Sequence, residues 1–249
     1  MKSLVKKEIS ISAFFPALNE EDNIKHVIDN AVSVLKRITK KYEIIIVLYE
    51  GSTDHTGEIV RSIAEKNQKV NLVIQPLRES GYGVALQIGY RNAHYEYVFY
   101  SDADRQFDLN QLEKYFILIE HFDLVVGYRR KRQDPLMRII VSKVYNWIMR
   151  IVFDLEQRDV DCAFKLCRKS IFEKLSLKCK TGVADTELLV KARLNNCSIV
   201  EVGIDHFPRI AGSSFDSGGK LLNLPQPKLV CQIIREILEL RRELKRRFV

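Results

Sequence analysis

Tyr95-Glu96-Tyr97-Val98-Phe99-Tyr100-Ser101-Asp102-Ala103-Asp104-Arg105-Gln106 is the stretch on which the fold turns. Its first half is aromatic and apolar, as a buried strand requires, and its second half is polar, as a turn requires. Two carboxylates one residue apart at the exit of a strand can place their oxygens around one hard divalent cation. Mg²⁺ prefers carboxylate and phosphate oxygens together with water, so the pair points to a nucleotide diphosphate handled nearby. Read alone, the same two aspartates could equally cap a turn.

Working outward, the chain alternates strand and helix patterns. Residues 9–15 form an apolar run closed by Pro16. Asn19 is placed to cap a helix, with Glu20, Glu21 and Asp22 in its first turn where acidic groups suit the dipole. Ile24, Val27, Ile28, Ala31, Val32 and Leu35 give that helix an apolar stripe. Residues 42–48 are almost wholly apolar, as in a strand covered on both faces. A turn at Gly51-Ser52-Thr53-Asp54 opens a second helix to about Lys66. Further strands are expected at 71–75, 96–100 and 124–127, with helices at 83–93 and 109–121 between them. Helical connections of this length imply parallel pairing, hence an α/β fold with a mostly parallel central sheet flanked by helices. Ligands in such sheets bind beyond the carboxyl ends of the strands. Residues 16–20, 49–54, 102–106 and 128–129 would all lie along that edge.

Later segments are less regular. Residues 135–153 are apolar on most sides but carry Arg138, Lys143 and Arg150, with Tyr145 and Trp147 inside. The mixture suits a helix lying in a membrane interface, and equally one packed on the sheet or at a dimer contact. Asp159 opens a turn into a strand ending near Leu166, 185–193 read as a helix and 199–202 as a short strand. Residues 212–219 form a Gly/Ser-rich loop, and 228–247 a basic amphipathic helix. The division expected is 1–220 as a catalytic domain, with 134–154 as its membrane-interface helix, and 221–249 as the C-terminal helix.

The chain has 249 residues, 46% hydrophobic and 29% charged, with a formal net charge of +8, which describes an ordinary globular protein with basic surfaces. Its five cysteines form no CxxC pair and do not cluster with histidines, which argues against a zinc site or a disulfide framework. No run of about 20 apolar residues exists to span a bilayer, and the N-terminus lacks a signal-peptide core. The expected location is cytoplasmic, peripheral on the inner face of the membrane. Arg129-Arg130-Lys131-Arg132 and the basic tail could meet an anionic surface, but no recognition motif for nucleic acid accompanies them.

Together, Phe15-Pro16-Ala17-Leu18-Asn19-Glu20-Glu21, Gly51-Ser52-Thr53-Asp54, Ser101-Asp102-Ala103-Asp104-Arg105-Gln106, Gly127-Tyr128-Arg129, the segment from Asp159 to Leu166, Asp185-Thr186-Glu187 and Arg209-Ile210-Ala211-Gly212-Ser213-Ser214 follow in order. Over roughly residues 9–215 the chain resembles the inverting family-two glycosyltransferases of GT-A fold, and among them the dolichyl- and polyprenyl-phosphate sugar synthases. The resemblance implies a hexose moved from a nucleotide-diphosphate sugar to a polyprenyl phosphate at an anionic membrane surface. It implies a nucleotide pocket of Pro16, Ala17, Asn19, Glu20, Tyr49, Glu50, Ser52 and Asp102. It implies Mg²⁺ or Mn²⁺ on Asp102 and Asp104, with Gln106 completing the site. Arg129, Lys165, Arg209, Ser213 and Ser214 would meet donor or acceptor phosphates, and Asp104, Arg129 and Asp185 would carry the chemistry. A homo-oligomer or a membrane-protein partner is a further expectation.

Two departures stand out. The family usually has two acidic residues before the Gly-Ser turn, where this chain has Tyr49-Glu50, and Ala163 replaces a customary glycine. A tyrosine cannot repeat a carboxylate's contact with an imino N–H, which leaves the base open. Transfer to a glycan, lipid or protein, and a nucleotide-binding scaffold without turnover, are the competing expectations.

Overall fold

The structure is a computed structural model and describes residues 9–210 and 226–247. Its centre is a seven-stranded sheet in the order β3-β2-β1-β4-β6-β5-β7. The strands are β1 (Ser10–Ala17), β2 (Lys41–Tyr49), β3 (Val70–Gln75), β4 (Tyr97–Ser101), β5 (Leu124–Arg130), β6 (Phe164–Arg168) and β7 (Ile199–Asp205). The α-helices are α1 (Glu21–Ile38), α2 (Thr56–Lys66), α3 (Tyr82–Asn92), α4 (Leu112–Leu118), α5 (Leu136–Phe153), α6 (Ile171–Lys174), α7 (Val183–Leu194) and α8 (Pro227–Arg247).

β1 pairs in parallel with β2 and β4, and β2 with β3. Tyr42 through Leu48 are buried without interruption, as a strand covered by helices on both faces demands. α1 lays Ile24, Val27, Ile28, Ala31, Val34 and Leu35 into the core, each large side chain contributing about 1.5–3 kcal/mol of burial. β6 breaks the parallel pattern, running against both β4 and β5. β5 ends at the carboxyl edge and the chain re-enters β6 from that same edge, with Phe164 opposite Ser101, so only the antiparallel direction is open to it. The mostly parallel sheet expected from the sequence is therefore present, with one reversed strand between β4 and β5.

α1 starts differently from the sequence reading. Asn19 has a left-handed backbone (φ 54°), and Glu20 occupies the cap position without a side-chain cap. The free N–H of Glu21 is met instead by Asp54 Oδ2 at 2.9 Å, from the loop after β2. Burial raises the Asp54 pKa, but hydrogen bonds from Thr56 and from the Glu21 N–H outweigh it and hold this carboxyl below its ordinary range.

α8 docks on the body through Glu236 and Leu240, both buried, with Ile233, Ile237 and Leu244 partly buried beside them. No helix among the described residues is long and apolar enough to cross a membrane.

Candidate active site

The carboxyl ends of β1, β2, β3 and β4 open into a cavity of about 210 Å³. Pro16 and Ala17 come from β1, Tyr49 from β2, Gln75 from β3 and Asp102 from the exit of β4; Glu20, Gly81, Tyr82, Asp104 and Arg209 close one side, and Arg129, Arg138, Asp161 and Asp185 the other. The Asp102–Gln106 loop keeps its shape through the Gln106 N–H, which donates to Asp104 Oδ1 at 3.1 Å, and through Arg105, whose backbone is left-handed (φ 62°). Arg209 spans two carboxylates, reaching Asp104 Oδ2 at 2.8 Å and Glu20 Oε1 at 3.2 Å. Tyr82 donates its hydroxyl to Asp102 Oδ1 at 3.1 Å.

The electrostatics of this cluster are those of a site short of positive charge. Burial, then the neighbouring carboxylates of Asp104 and Asp185, push Asp102 up to about 7. Burial also pushes Glu20 up to about 7, against the pull of Asn23 and Arg209. Arg209 and the Tyr82 hydroxyl pull Asp102 down without offsetting that rise. A hard divalent cation bound by one or two carboxylates, with ligand phosphates and water for the rest of its shell, fits such a donor set. No group of three or more His, Cys, Asp or Glu side chains able to hold a metal is present among the described residues.

Several residues singled out from the sequence sit elsewhere than expected. Lys165 is fully buried and does not reach the cavity: its Nζ is held by Asp185 Oδ1 at 2.5 Å, Cys162 O at 2.6 Å, Tyr100 Oη at 3.1 Å and Val160 O at 3.3 Å. A cation enclosed by four oxygens has no N–H left for a phosphate. Its partner Asp185 also accepts from Tyr100, so this carboxylate lines the cavity as half of an internal ion pair. Arg129 lines the cavity too, but its guanidinium forks onto Asp159 at 2.6 and 2.7 Å and onto Asp161 at 2.7 Å. It positions that acidic loop rather than standing ready for a phosphate. Gln106 donates its amide nitrogen to Phe207 O at 3.0 Å and lies off the cavity wall.

Asn19 and Ser52 grip one another instead of facing the cavity. Asn19 Oδ1 accepts from the Thr53 N–H at 2.8 Å and lies 3.0 Å from Ser52 Oγ, which joins the loops after β1 and β2. Glu50 accepts from the Leu77 N–H at 2.9 Å, outside the cavity, whereas Tyr49 forms part of its wall with its hydroxyl 3.4 Å from Leu77 O. Pro16, Ala17, Glu20, Asp102, Asp104 and Arg209 all line the cavity. Ser213 and Ser214 lie outside the described residues.

Sequence reasoning missed Gln75, Tyr82, Arg138 and Asp161. Gly81-Tyr82-Gly83 carried a signal, an aromatic between two glycines at a helix start, and Arg138 stands four residues after Asp134, its partner at 3.6 Å. Gln75 gave none: its amide nitrogen is committed to Glu79 O at 2.6 Å and Gly81 O at 2.9 Å, a fact of the fold.

Comparison with known proteins agrees with this geometry. The Glycosyl transferase family 2 model matches residues 12–176. The chain is 28% identical over 222 residues to an undecaprenyl-phosphate 4-deoxy-4-formamido-L-arabinose transferase of Photorhabdus laumondii, covering 89% of this chain and 67% of the relative. The enzyme of the same name from Pectobacterium atrosepticum is 28% identical over 226 residues, with the same coverage. Among solved structures, glucosyl-3-phosphoglycerate synthase from Mycobacterium tuberculosis, in complex with Mn²⁺, uridine diphosphate and phosphoglyceric acid, superposes with a TM-score of 0.65. At 20% identity, over 92% of this chain and 78% of that one, the likeness is one of fold.

Proposed function

The chain belongs to glycosyl transferase family 2, and from that premise we propose that it moves a sugar from a nucleoside diphosphate donor onto a polyprenyl phosphate at an anionic membrane surface. One observation carries the reading. A single cavity joins the Asp102–Asp104 pair to Arg138, and Arg138 lies on the first turn of a helix whose outer face is apolar. On α5, Leu136, Ile140, Val144, Trp147 and Ile151 are exposed, while Ser142, Asn146, Met149 and Phe153 are buried. Lys143 and Arg150 flank the exposed side. An apolar strip with cations at its margin suits acyl chains and anionic headgroups. The names of the undecaprenyl-phosphate relatives support the acceptor class.

In this reading Asp102 and Asp104 hold Mg²⁺ or Mn²⁺. When bound, the ion supplies positive charge to the departing diphosphate. Pro16, Ala17, Tyr49, Gln75 and Tyr82 wall the nucleoside, and Glu20 and Arg209 orient groups at its phosphate end. The acceptor is a phosphate monoester with a second pKa near ~6, so around neutrality it is already a nucleophile. No carboxylate need remove a proton, and Asp185, held by Lys165 and Tyr100, is not arranged to do so. Arg138 draws the acceptor phosphate into the cavity, and attack from the face opposite the diphosphate inverts the anomeric centre. An acceptor hydroxyl, as on a glycan, would instead require a free general base.

The test is a panel of UDP-, GDP- and dTDP-sugars, each with Mn²⁺ and a short polyprenyl phosphate. One donor should yield a glycosylated lipid phosphate. Absence of lipid product with every donor defeats the acceptor assignment.

A further inference from the structure

One side chain of the C-terminal helix reaches the segment that leads into Gly182, a residue of the cavity wall. Glu236 of α8 is buried, and its carboxylate accepts from the Lys180 N–H at 3.1 Å, the Thr181 N–H at 3.1 Å and the Thr181 hydroxyl at 2.7 Å. Gln232, one turn earlier on the same helix, adds a fourth donor at 3.1 Å. The backbone thus clamped is the seat of the α3 N-terminus. The Gly83 N–H donates to Lys180 O at 2.8 Å. Approach is so close that a Cβ at Gly81 would lie 2.3 Å from Lys180 O, and one at Gly83 would lie 2.4 Å from Cys179 O. Gly81 also has φ +124°, which a side chain rarely tolerates.

Between those glycines stands Tyr82, which lines the cavity and donates to Asp102. We infer that Glu236 is a positioning residue for the donor pocket: by fixing residues 180 and 181 it sets the seat of Gly81-Tyr82-Gly83, and so the wall that faces Asp102. Every link is a hydrogen bond or a backbone contact with no slack for a side chain. Three donors converge on one buried carboxylate, which would be left without them if α8 moved away. The C-terminal helix is on this argument a working part of the nucleotide site. The inference rests on reading that cavity as the donor pocket.

Hydrogen exchange on the full chain, without ligand, tests it directly. In Glu236→Ala the Gly83 amide should exchange at least about tenfold faster, while Val98 and Phe99 in β4 keep their protection. Calorimetry with UDP, GDP and dTDP in Mn²⁺ should show the nucleotide that wild type prefers binding about tenfold more weakly. Glu236→Gln, which keeps one acceptor oxygen, should fall between the two. Glu239→Ala, at an exposed position of the same helix, should match wild type in both measurements. Unchanged exchange at Gly83 in folded Glu236→Ala overturns the inference and leaves Glu236 as a docking contact for α8. Should that variant not fold, Glu236→Gln against Glu239→Ala decides on the same amide, and equal Gly83 rates in the two overturn it. If wild type binds none of the three nucleotides, the donor reading fails by itself, and the exchange measurement still decides the role of Glu236.

Discussion

Helices α1 and α5 are each 18 residues long, yet they face solvent with opposite chemistry. α1 turns Ile24, Val27, Ile28 and Leu35 inward and Lys25, His26 and Asp29 to water. α5 turns Ser142 and Asn146 inward and Leu136, Ile140, Trp147 and Ile151 outward. The same inversion holds for charge around the two ends of the cavity. On the α1 side, carboxylates crowd together with Arg209 shared between two of them. On the α5 side, Arg129 is paired with Asp159 and Asp161, and Arg132 with Asp134 at 2.9 Å. Under the proposed function the first half takes up a cation, and the second, with most of its own charges paired, offers an apolar surface to a lipid with an anionic head.

The sharpest way to break this contrast is on the carboxylate side. Asp104→Asn keeps an oxygen for the Gln106 N–H but gives up the one that faces Arg209 and removes a charge, so turnover should fall by about a thousandfold or more with the fold intact. A variant at full rate would remove Asp104 from the chemistry. Next, Arg138→Ala should raise KM for the lipid phosphate by about 10–100-fold and leave donor KM in place, the cost of one charge-assisted phosphate contact. Equal effects on both substrates would place Arg138 on the donor instead. Smaller still, Trp147→Glu should weaken binding to anionic vesicles by about tenfold in sedimentation while hardly moving the melting temperature, because the indole is exposed already. A large loss of stability would show instead that this face is covered by protein.

The smallest effect lies at the seam between the halves, where His206 bridges to Phe107. Burial lowers the His206 pKa to about 4; Asp134, 3.8 Å away, pulls it up, and Arg129, Arg132 and Arg138 push it down. A histidine depressed in the folded state contributes stability above pH 6.5, which is lost as pH falls from 6.5 toward 4. Denaturant midpoints of wild type should therefore drop relative to those of His206→Gln over that window. Parallel curves for the two proteins would remove His206 from the pH response.

Much of the donor side was legible in the sequence because its signals are local. Strand runs, the stripe of α1 and the Asp102–Asp104 pair depend on neighbours a few residues apart. Glu20 and Arg209 were legible only through the resemblance, since they meet across the fold. What misled was charge read without its partner. Lys165 and Arg129 looked available because the carboxylates that enclose them, Asp185, Asp159 and Asp161, arrive from later segments. Asn19 and Ser52 were read as ligand contacts when their polar atoms serve each other across two loops. The inward side of α5 was hidden for a related reason: Ser142 and Asn146 are buried against Asp161 and Val160, a polar seam that hydropathy cannot distinguish from a surface.

The reversed strand β6 has a consequence for how the chain reaches this state. β1 to β4 form a contiguous block early in the sequence, and β4 is its open edge until β6 arrives, Tyr100 and Lys165 being 65 residues apart. All five residues of β4 are buried in the finished sheet, so the growing chain exposes an apolar edge suited to mispairing. The strand that closes it carries a lysine at its second position, buried in the finished sheet. Only when Asp185 comes into place is the charge matched. Burying Lys165 in any other pairing would leave its charge without a carboxylate, so the Asp185 contact favours this register of β6 over the rest.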